Sequence, residues 1–261
     1  MHFGINTWSY PESVPLEKAL EHAKSVGYEG FQVAVTEDDL KSFLEDKWKR
    51  IKDIADKTGI EIPSVSTGLF WQCNFMTQPQ EALKIVEAEC HAARILGAKL
   101  ILVVPGTGVS ELSYEEHFTR VTAALKEAGK IGREYGVRIG LENVWNRIFA
   151  GPLEFKRLID EINDEWVGAY FDAGNTLPHS LPEHWIRLLN EKILEVHVKD
   201  YAMWKGAFGI PLNGDVNWPA VRKALEDIGY DGYLLPEIPP YPGDPYEAAE
   251  DALRALQEIF K

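Results

Sequence analysis

The chain has 261 residues, 45% hydrophobic and 26% charged, the balance of a globular protein long enough to bury a large core. Its formal net charge of −14 leaves no basic surface to neutralise phosphates, so no nucleic-acid partner is expected. Cys73 and Cys90 have no CxxC or CxxH spacing, which argues against a disulfide framework or structural zinc, and no run approaches the ~20 apolar residues of a membrane span.

Residues 1–6 carry neither a basic nor a long apolar segment, so no signal peptide is read there and a cytoplasmic protein is expected. Residues 2–8 read as a first strand, and 15–25 as a helix with Leu16, Ala19, Leu20 and Ala23 on one face. A second strand is predicted over 30–35, a helix over 38–57 stopped by Gly59, and a third strand over 60–66. A strong helical pattern over 80–96, closed by Gly97, precedes the very apolar strand 99–104. The longest helix, 114–135, is closed by Gly136. Strand 137–142 ends in Glu142 and Asn143, and helix 153–162 follows. Strand 167–172 ends in Asp172, and a loop leads to a short helix over 182–189.

The stretch Ile193-Leu194-Glu195-Val196-His197-Val198-Lys199-Asp200-Tyr201 starts as a strand and finishes in His, Lys and Asp. Residues 202–217 hold Trp204, Phe208 and the breakers Gly206, Gly209, Pro211 and Gly214, and read as a long loop without regular pattern. A helix over 218–228 ends at Gly229, strand 233–237 ends in Glu237, and 246–260 is the final helix. These are eight strand–helix units with no low-complexity linker. They predict one α/β domain over residues 1–261, a closed (β/α)8 TIM barrel, with an open doubly wound sheet as the alternative. Neither GxGxxG nor GxxxxGK[ST] follows a strand, so the usual nucleotide cradles are absent.

Strands five to eight each stop on a candidate metal ligand: Glu142, Asp172, His197 and Glu237. In a closed parallel barrel the C-terminal strand ends meet at one rim, so four adjacent strands can aim these groups at one point. Singly, Glu142 could cap a helix, Asp172 could make a turn and Glu237 could serve an ion pair. Together, three carboxylates would repel unless a cation sat among them. The oxygen-rich set with one imidazole suits one divalent ion, Mn²⁺ first, with Mg²⁺, Co²⁺ or Zn²⁺ as alternatives.

The stretches Gly140-Leu141-Glu142-Asn143, Tyr170-Phe171-Asp172-Ala173-Gly174-Asn175, Val196-His197-Val198-Lys199-Asp200 and Leu235-Pro236-Glu237 carry a resemblance. So do Gly214-Asp215-Val216-Asn217-Trp218 and Gly229-Tyr230-Asp231-Gly232. The chain resembles the xylose-isomerase-like sugar isomerase/epimerase superfamily along essentially its whole length. The resemblance implies one divalent metal on Glu142, Asp172, His197 and Glu237. It also implies that Glu142 and Glu237 act as acid and base, as in the ketose 3-epimerases of that group. Independent chemistry agrees. A hydrogen beside a ketone becomes removable when the enediolate charge is neutralised, and two carboxylates on opposite faces can take and return the proton, each for about 10²–10⁴ in rate.

Three positions depart from the 3-epimerase pattern: Asn175 where many carry His, Met203 where many carry Arg, and Gln32 where the second strand often ends in Glu. These positions usually meet substrate oxygens, so free-ketohexose specificity does not carry over. Lys199 is a candidate for a phosphate or carboxylate, or else a partner of Asp200. Asn6, Thr67 and Asn143 are further rim candidates for substrate. Trp8, Phe70, Trp71, Trp145 and Trp204 fall near strand ends and either wall a sugar pocket or pack elsewhere. His22, His91, His117, His179 and His184 read as surface or structural.

The expected function is therefore a metal-dependent sugar or sugar-phosphate isomerase or epimerase. A keto-acid isomerase or sugar dehydratase on the same barrel is the alternative. An apurinic-endonuclease-like hydrolase is disfavoured by the missing additional histidines and the acidic charge, and a non-catalytic sugar-binding barrel by the intact pair of glutamates. The partner expected is a small sugar or sugar phosphate, with neither nucleic acid nor membrane. Family members often assemble through their loops, which implies a homodimer or homotetramer.

Overall fold

The computed structural model describes residues 1–41 and 45–261 and carries the strand–helix alternation through. The strands are β1 (His2–Asn6), β2 (Gly30–Ala34), β3 (Ser64–Ser66), β4 (Leu100–Val103), β5 (Arg138–Glu142), β6 (Val167–Asp172), β7 (Ile193–His197), β8 (Asp200–Ala202), β9 (Ala207–Gly209) and β10 (Tyr233–Leu235). All but β8 and β9 close into a barrel of order β1-β10-β7-β6-β5-β4-β3-β2, every neighbouring pair parallel. The helices are α1 (Leu16–Val26), α2 (Glu37–Lys41), α3 (Glu45–Thr58), α4 (Pro79–Leu96), α5 (Tyr114–Tyr135), α6 (Pro152–Ile162), α7 (Ala173–Thr176), α8 (Pro182–Leu189), α9 (Trp218–Asp227) and α10 (Glu247–Phe260). The predicted single α/β barrel domain is the fold observed.

The long helices form where apolar residues recur at helical spacing, and their ends are built as read. Ser113 and Glu116 make a reciprocal capping box at the start of α5, while Gly97 and Gly136 end α4 and α5 in the left-handed region. Leu20 and Ala23 of α1, Val86 and Ala93 of α4, and Val121 and Leu125 of α5 are all buried against the barrel.

Four differences from the predicted elements have local causes. β1 stops at Asn6, whose side chain accepts the Trp8 N–H and turns the chain into a 3-10 turn over Thr7–Ser9. β3 is shorter than 60–66, because Pro63 has no N–H to add to a ladder; ahead of it only an isolated bridge pairs Glu61 with Gly30. Of the helix predicted over 38–57, residues 42–44 lie outside the described residues, with α2 and α3 on either side. The segment 202–217, expected to lack regular structure, contains most of an antiparallel hairpin in which β8 pairs with β9.

Glu89 breaks the pattern of apolar burial without a partner to satisfy it. Glu89 of α4 is fully buried and neither carboxylate oxygen has a hydrogen-bond partner, so burial pushes its pKa well above the ordinary carboxylate range. A folded-state pKa above the unfolded one makes the native state the stronger proton binder, so this group's effect on stability turns unfavourable as pH rises past ~4.3. Glu89→Leu removes the buried polar group at similar size. It is expected to stabilise the fold by about 1–3 kcal/mol, raising Tm by roughly 2–10 °C. Thermal melts of both proteins should show the gain widening from pH 5 to pH 8; a gain that shrinks with pH would refute the assignment.

Candidate metal centre

Strand register brings the four predicted ligands to one rim. Asp172 at the end of β6 lies opposite His197 at the end of β7, and His197 lies opposite Leu235 of β10, two residues before Glu237. Glu142 ends β5 beside Tyr170. Side chains alternate along a strand, so Tyr170 and Asp172 share the inward face of β6, as Glu195 and His197 share that of β7. Gly140, on the same side of β5 as Glu142, leaves the room that Tyr170 fills: a Cβ there would stand 3.1 Å from the Tyr170 Cβ.

One ligand atom from each of Glu142, Asp172, His197 and Glu237 lies within 4.8 Å of the others. His197 Nδ1 stands 3.1 Å from Glu142 Oε1, 3.6 Å from Glu237 Oε2 and 3.9 Å from Asp172 Oδ2. His197 and Asp172 are fully buried, and Glu237 is the most accessible of the four. Lys199 completes the group, with its Nζ 2.9 Å from Asp172 Oδ2 and hydrogen-bonded to Glu237. Lys199 thus pairs with Asp172 and Glu237 and not with Asp200, the partner that the sequence would also allow. Residues 197 and 199 point inward and 200 points out, so Lys199 reaches the ligands while Asp200 faces the hairpin.

The donor set fits a divalent cation. Asp172 Oδ2 is buried and accepts no hydrogen bond of good geometry, although Lys199 stands close. Three carboxylates against one ammonium leave two negative charges in a buried space, which a divalent ion balances. The Nδ1 of a neutral His197 supplies the nitrogen ligand.

The two glutamates sit in opposed electrostatic states. Burial, then the charge of Glu237, pushes Glu142 up to about 7 against the pull of His197. Burial also opposes the charge on Glu237, yet Lys199 and His197 outweigh it and hold its pKa below the usual value. Lys199 stays protonated: burial disfavours its charge, but Asp172, Glu237 and Glu142 together raise its pKa. A bound cation would favour the ionised form of all three carboxylates.

Above the cluster is a cavity of about 240 Å³ into which Glu142, Glu237 and Lys199 face, walled by Trp8, Trp71, Trp145 and Phe208. Thr67 and Asn175 also line it. Asn6 and Asn143, read as rim candidates, have their amides engaged elsewhere. Asn6 bonds Gln32 and the Trp8 N–H, and Asn143 bonds both the N–H and C=O of Asp172, clamping that ligand. Of the aromatic candidates, Phe70 is buried and stacked on Phe75, and Trp204 is 80% exposed at the hairpin. His22 stacks on Tyr246, and His117 accepts the Val109 N–H, both structural roles. A larger cavity of about 470 Å³ opens at the other end of the barrel, among Lys99, Arg138 and Tyr233; chemistry in such barrels belongs to the C-terminal end.

Two features went unread in the sequence. Phe208 packs on Trp145 with ring centroids 4.9 Å apart, so the hairpin supplies a cavity wall. Beneath the ligands lies a second polar layer of Gln32, Ser64, Tyr170 and Glu195, all buried. The available signal was position: each is on a barrel strand at an inward-facing place.

The family model described as xylose isomerase-like TIM barrel matches residues 20–259. An inosose dehydratase of Clostridium perfringens is 24% identical over 238 residues, covering 77% of this chain and 80% of that protein. Among solved structures, a D-psicose 3-epimerase with D-tagatose from Clostridium cellulolyticum H10 superposes with a TM-score of 0.84 at 16% identity, covering 100% of both chains. The IOLI protein with a binding zinc atom gives a TM-score of 0.84 at 18% identity, covering 100% of this chain and 98% of that one. At such identities the structural likeness is one of fold.

Proposed function

Since the chain belongs to the xylose isomerase-like TIM-barrel family, we propose that it is a divalent-metal-dependent sugar isomerase or epimerase that moves a proton on a carbon beside a carbonyl. The observation carrying this reading is that Glu142 and Glu237 belong to the four-residue cluster and also face the same cavity. Glu142, Asp172, His197 and Glu237 would hold the metal. Bound there, it would supply Lewis acidity, neutralising negative charge that develops on the substrate's oxygens.

Glu237, its carboxylate stabilised by the Lys199 ammonium, takes the proton. Glu142, which faces the same cavity, delivers a solvent-derived proton to the opposite face of the carbon. The tryptophans pack on the carbon faces of the substrate and exclude water. The cation lining the cavity, Lys199, is already engaged by Asp172 and Glu237, which favours an uncharged sugar over a sugar phosphate.

A second reading is loss of water from a keto-polyol, the reaction in the names of several relatives such as the C. perfringens inosose dehydratase. Proton removal by Glu237 is common to both; Lys199, a protonated group at the cavity, would then assist the departing hydroxyl.

Mn²⁺-loaded protein in D₂O, offered a panel of ketoses, their phosphates and inosose, tests both. Solvent deuterium at C3 supports an epimerase and at C1 or C2 an isomerase, while loss of water supports a dehydratase. Chelation should stop turnover and added Mn²⁺ restore it. Silence across the panel with metal bound would overturn the proposal.

A further inference from the structure

The polar layer beneath the ligands has a direction, and that direction ends on His197. The Trp8 N–H is a backbone donor, so Asn6 must turn its Oδ1 toward it (2.6 Å). The Asn6 amide nitrogen therefore faces Gln32, and Gln32 must present its oxygen in return. The same Gln32 Oε1 lies 2.9 Å from His197 Nε2.

The other end of the chain agrees independently. Ser64 Oγ and Tyr170 OH both donate to Glu195 Oε2, the latter at 2.6 Å. With their hydrogens so used, the two hydroxyls need a donor. The Gln32 amide nitrogen supplies it, at 3.0 Å to Ser64 and 2.7 Å to Tyr170. A fixed backbone donor at one end and a carboxylate at the other thus impose one orientation on the Gln32 amide.

We propose that Gln32 is a positioning residue: its amide, held at the oxygen by Asn6 and at the nitrogen by Ser64 and Tyr170, presents Oε1 to accept the His197 Nε2–H and so aims the Nδ1 lone pair at Glu142, Asp172 and Glu237. The proposal rests on the metal-dependent function proposed above, because the lone pair matters only if a cation takes it. Without an acceptor at Nε2, a neutral imidazole can place its proton on Nδ1, toward Glu142 3.1 Å away, and close the site to a metal. Gln32 touches neither the cavity nor the reacting atoms; it acts through the histidine.

Mn²⁺ titration of wild type, Gln32→Met and Gln32→Glu tests this, with nitrogen-15 spectra of the Zn²⁺-loaded proteins as a second readout. Gln32→Met is expected to weaken Mn²⁺ binding about 10–100-fold, with kcat largely recovered at saturating Mn²⁺. Gln32→Glu keeps an acceptor for the Nε2–H but gives up the amide donor to Ser64 and Tyr170, so it should bind Mn²⁺ more weakly than wild type and more tightly than Gln32→Met. The wild-type spectrum should show His197 metallated at Nδ1 and protonated at Nε2. Should Gln32→Met fail to fold, Ser64→Ala, which removes one partner of the amide, is expected to weaken binding several-fold. Mn²⁺ affinity unchanged in a folded Gln32→Met or in Ser64→Ala, or wild-type metallation at Nε2, overturns the positioning role alone. A wild type that binds no divalent ion at millimolar concentration overturns the functional reading and this inference with it.

Discussion

Glu237→Gln and Glu142→Gln are each expected to lower kcat by about 10³-fold or more at saturating metal, a barrier increase of about 4 kcal/mol. The amide keeps the shape of the side chain and one oxygen near the ligand position, but it can neither take nor deliver a proton. The two variants should differ from each other. In an epimerase each carboxylate serves one face of the carbon, so the variant lacking the base for one epimer still exchanges deuterium into the other. Full turnover needs both. The measurement is solvent-deuterium wash-in from each epimer separately, alongside Mn²⁺ affinity to separate lost ligation from lost proton transfer. Glu237→Gln should cost more for the epimer whose proton Glu237 removes, and Glu142→Gln more for the other epimer. Wild-type exchange in both variants would remove these residues from the chemistry.

The barrel and the meeting of the four candidate ligands were legible in the sequence because both depend on strand ends. A short apolar run that stops on a carboxylate or histidine locates a rim residue without knowledge of register, and four such runs in succession locate a cluster. What was hidden depends on parity and on long-range partners. Lys199 and Asp200 are adjacent, and adjacency suggested a pair, but consecutive residues of an extended chain face opposite ways. Ser64, Tyr170 and Glu195 looked like parts of strands because a polar residue inside an apolar run gives no sign of meeting another 106 or 131 positions away. Gln32 registered only as a departure from a family pattern; its connection to His197 lies across the barrel and 165 positions along the chain. The hairpin of β8 and β9 was hidden by its own composition. Gly206, Gly209, Pro211 and Gly214 read as breakers, and what orders them is a residue outside the segment, Asp200.

Asp200→Ala is accordingly expected to disorder the segment 200–217 while leaving the barrel closed. The Asp200 carboxylate is buried and accepts the N–H groups of Tyr201 (2.8 Å), Leu212 (3.0 Å) and Val216 (3.0 Å) and the indole N–H of Trp218 (2.8 Å). The chain passes so close that a Cβ on Gly214 would fall 2.2 Å from Asp200 Oδ1, so Gly214→Ala should act in the same direction. Removing the carboxylate strands four donors, at about 1–3 kcal/mol for each one that water cannot reach. Trp218 and Val216 are the buried ones, which puts the expected loss near 3–5 kcal/mol, enough to exceed what a short two-stranded hairpin retains alone. Hydrogen exchange should accelerate across 200–217 and a protease should nick there, whereas β5, β6 and β10 should keep their protection. The consequence for function follows from Phe208. Released from Trp145 and from Lys199, whose Nζ stands 4.9 Å from its ring, it no longer walls the cavity. Since none of Glu142, Asp172, His197 and Glu237 lies in the hairpin, Mn²⁺ affinity should stay within a few-fold of wild type while kcat/KM falls about tenfold or more. Metal binding lost along with the hairpin would mean that the mouth of this barrel is built as one unit rather than as a rigid ligand rim with a separately anchored wall.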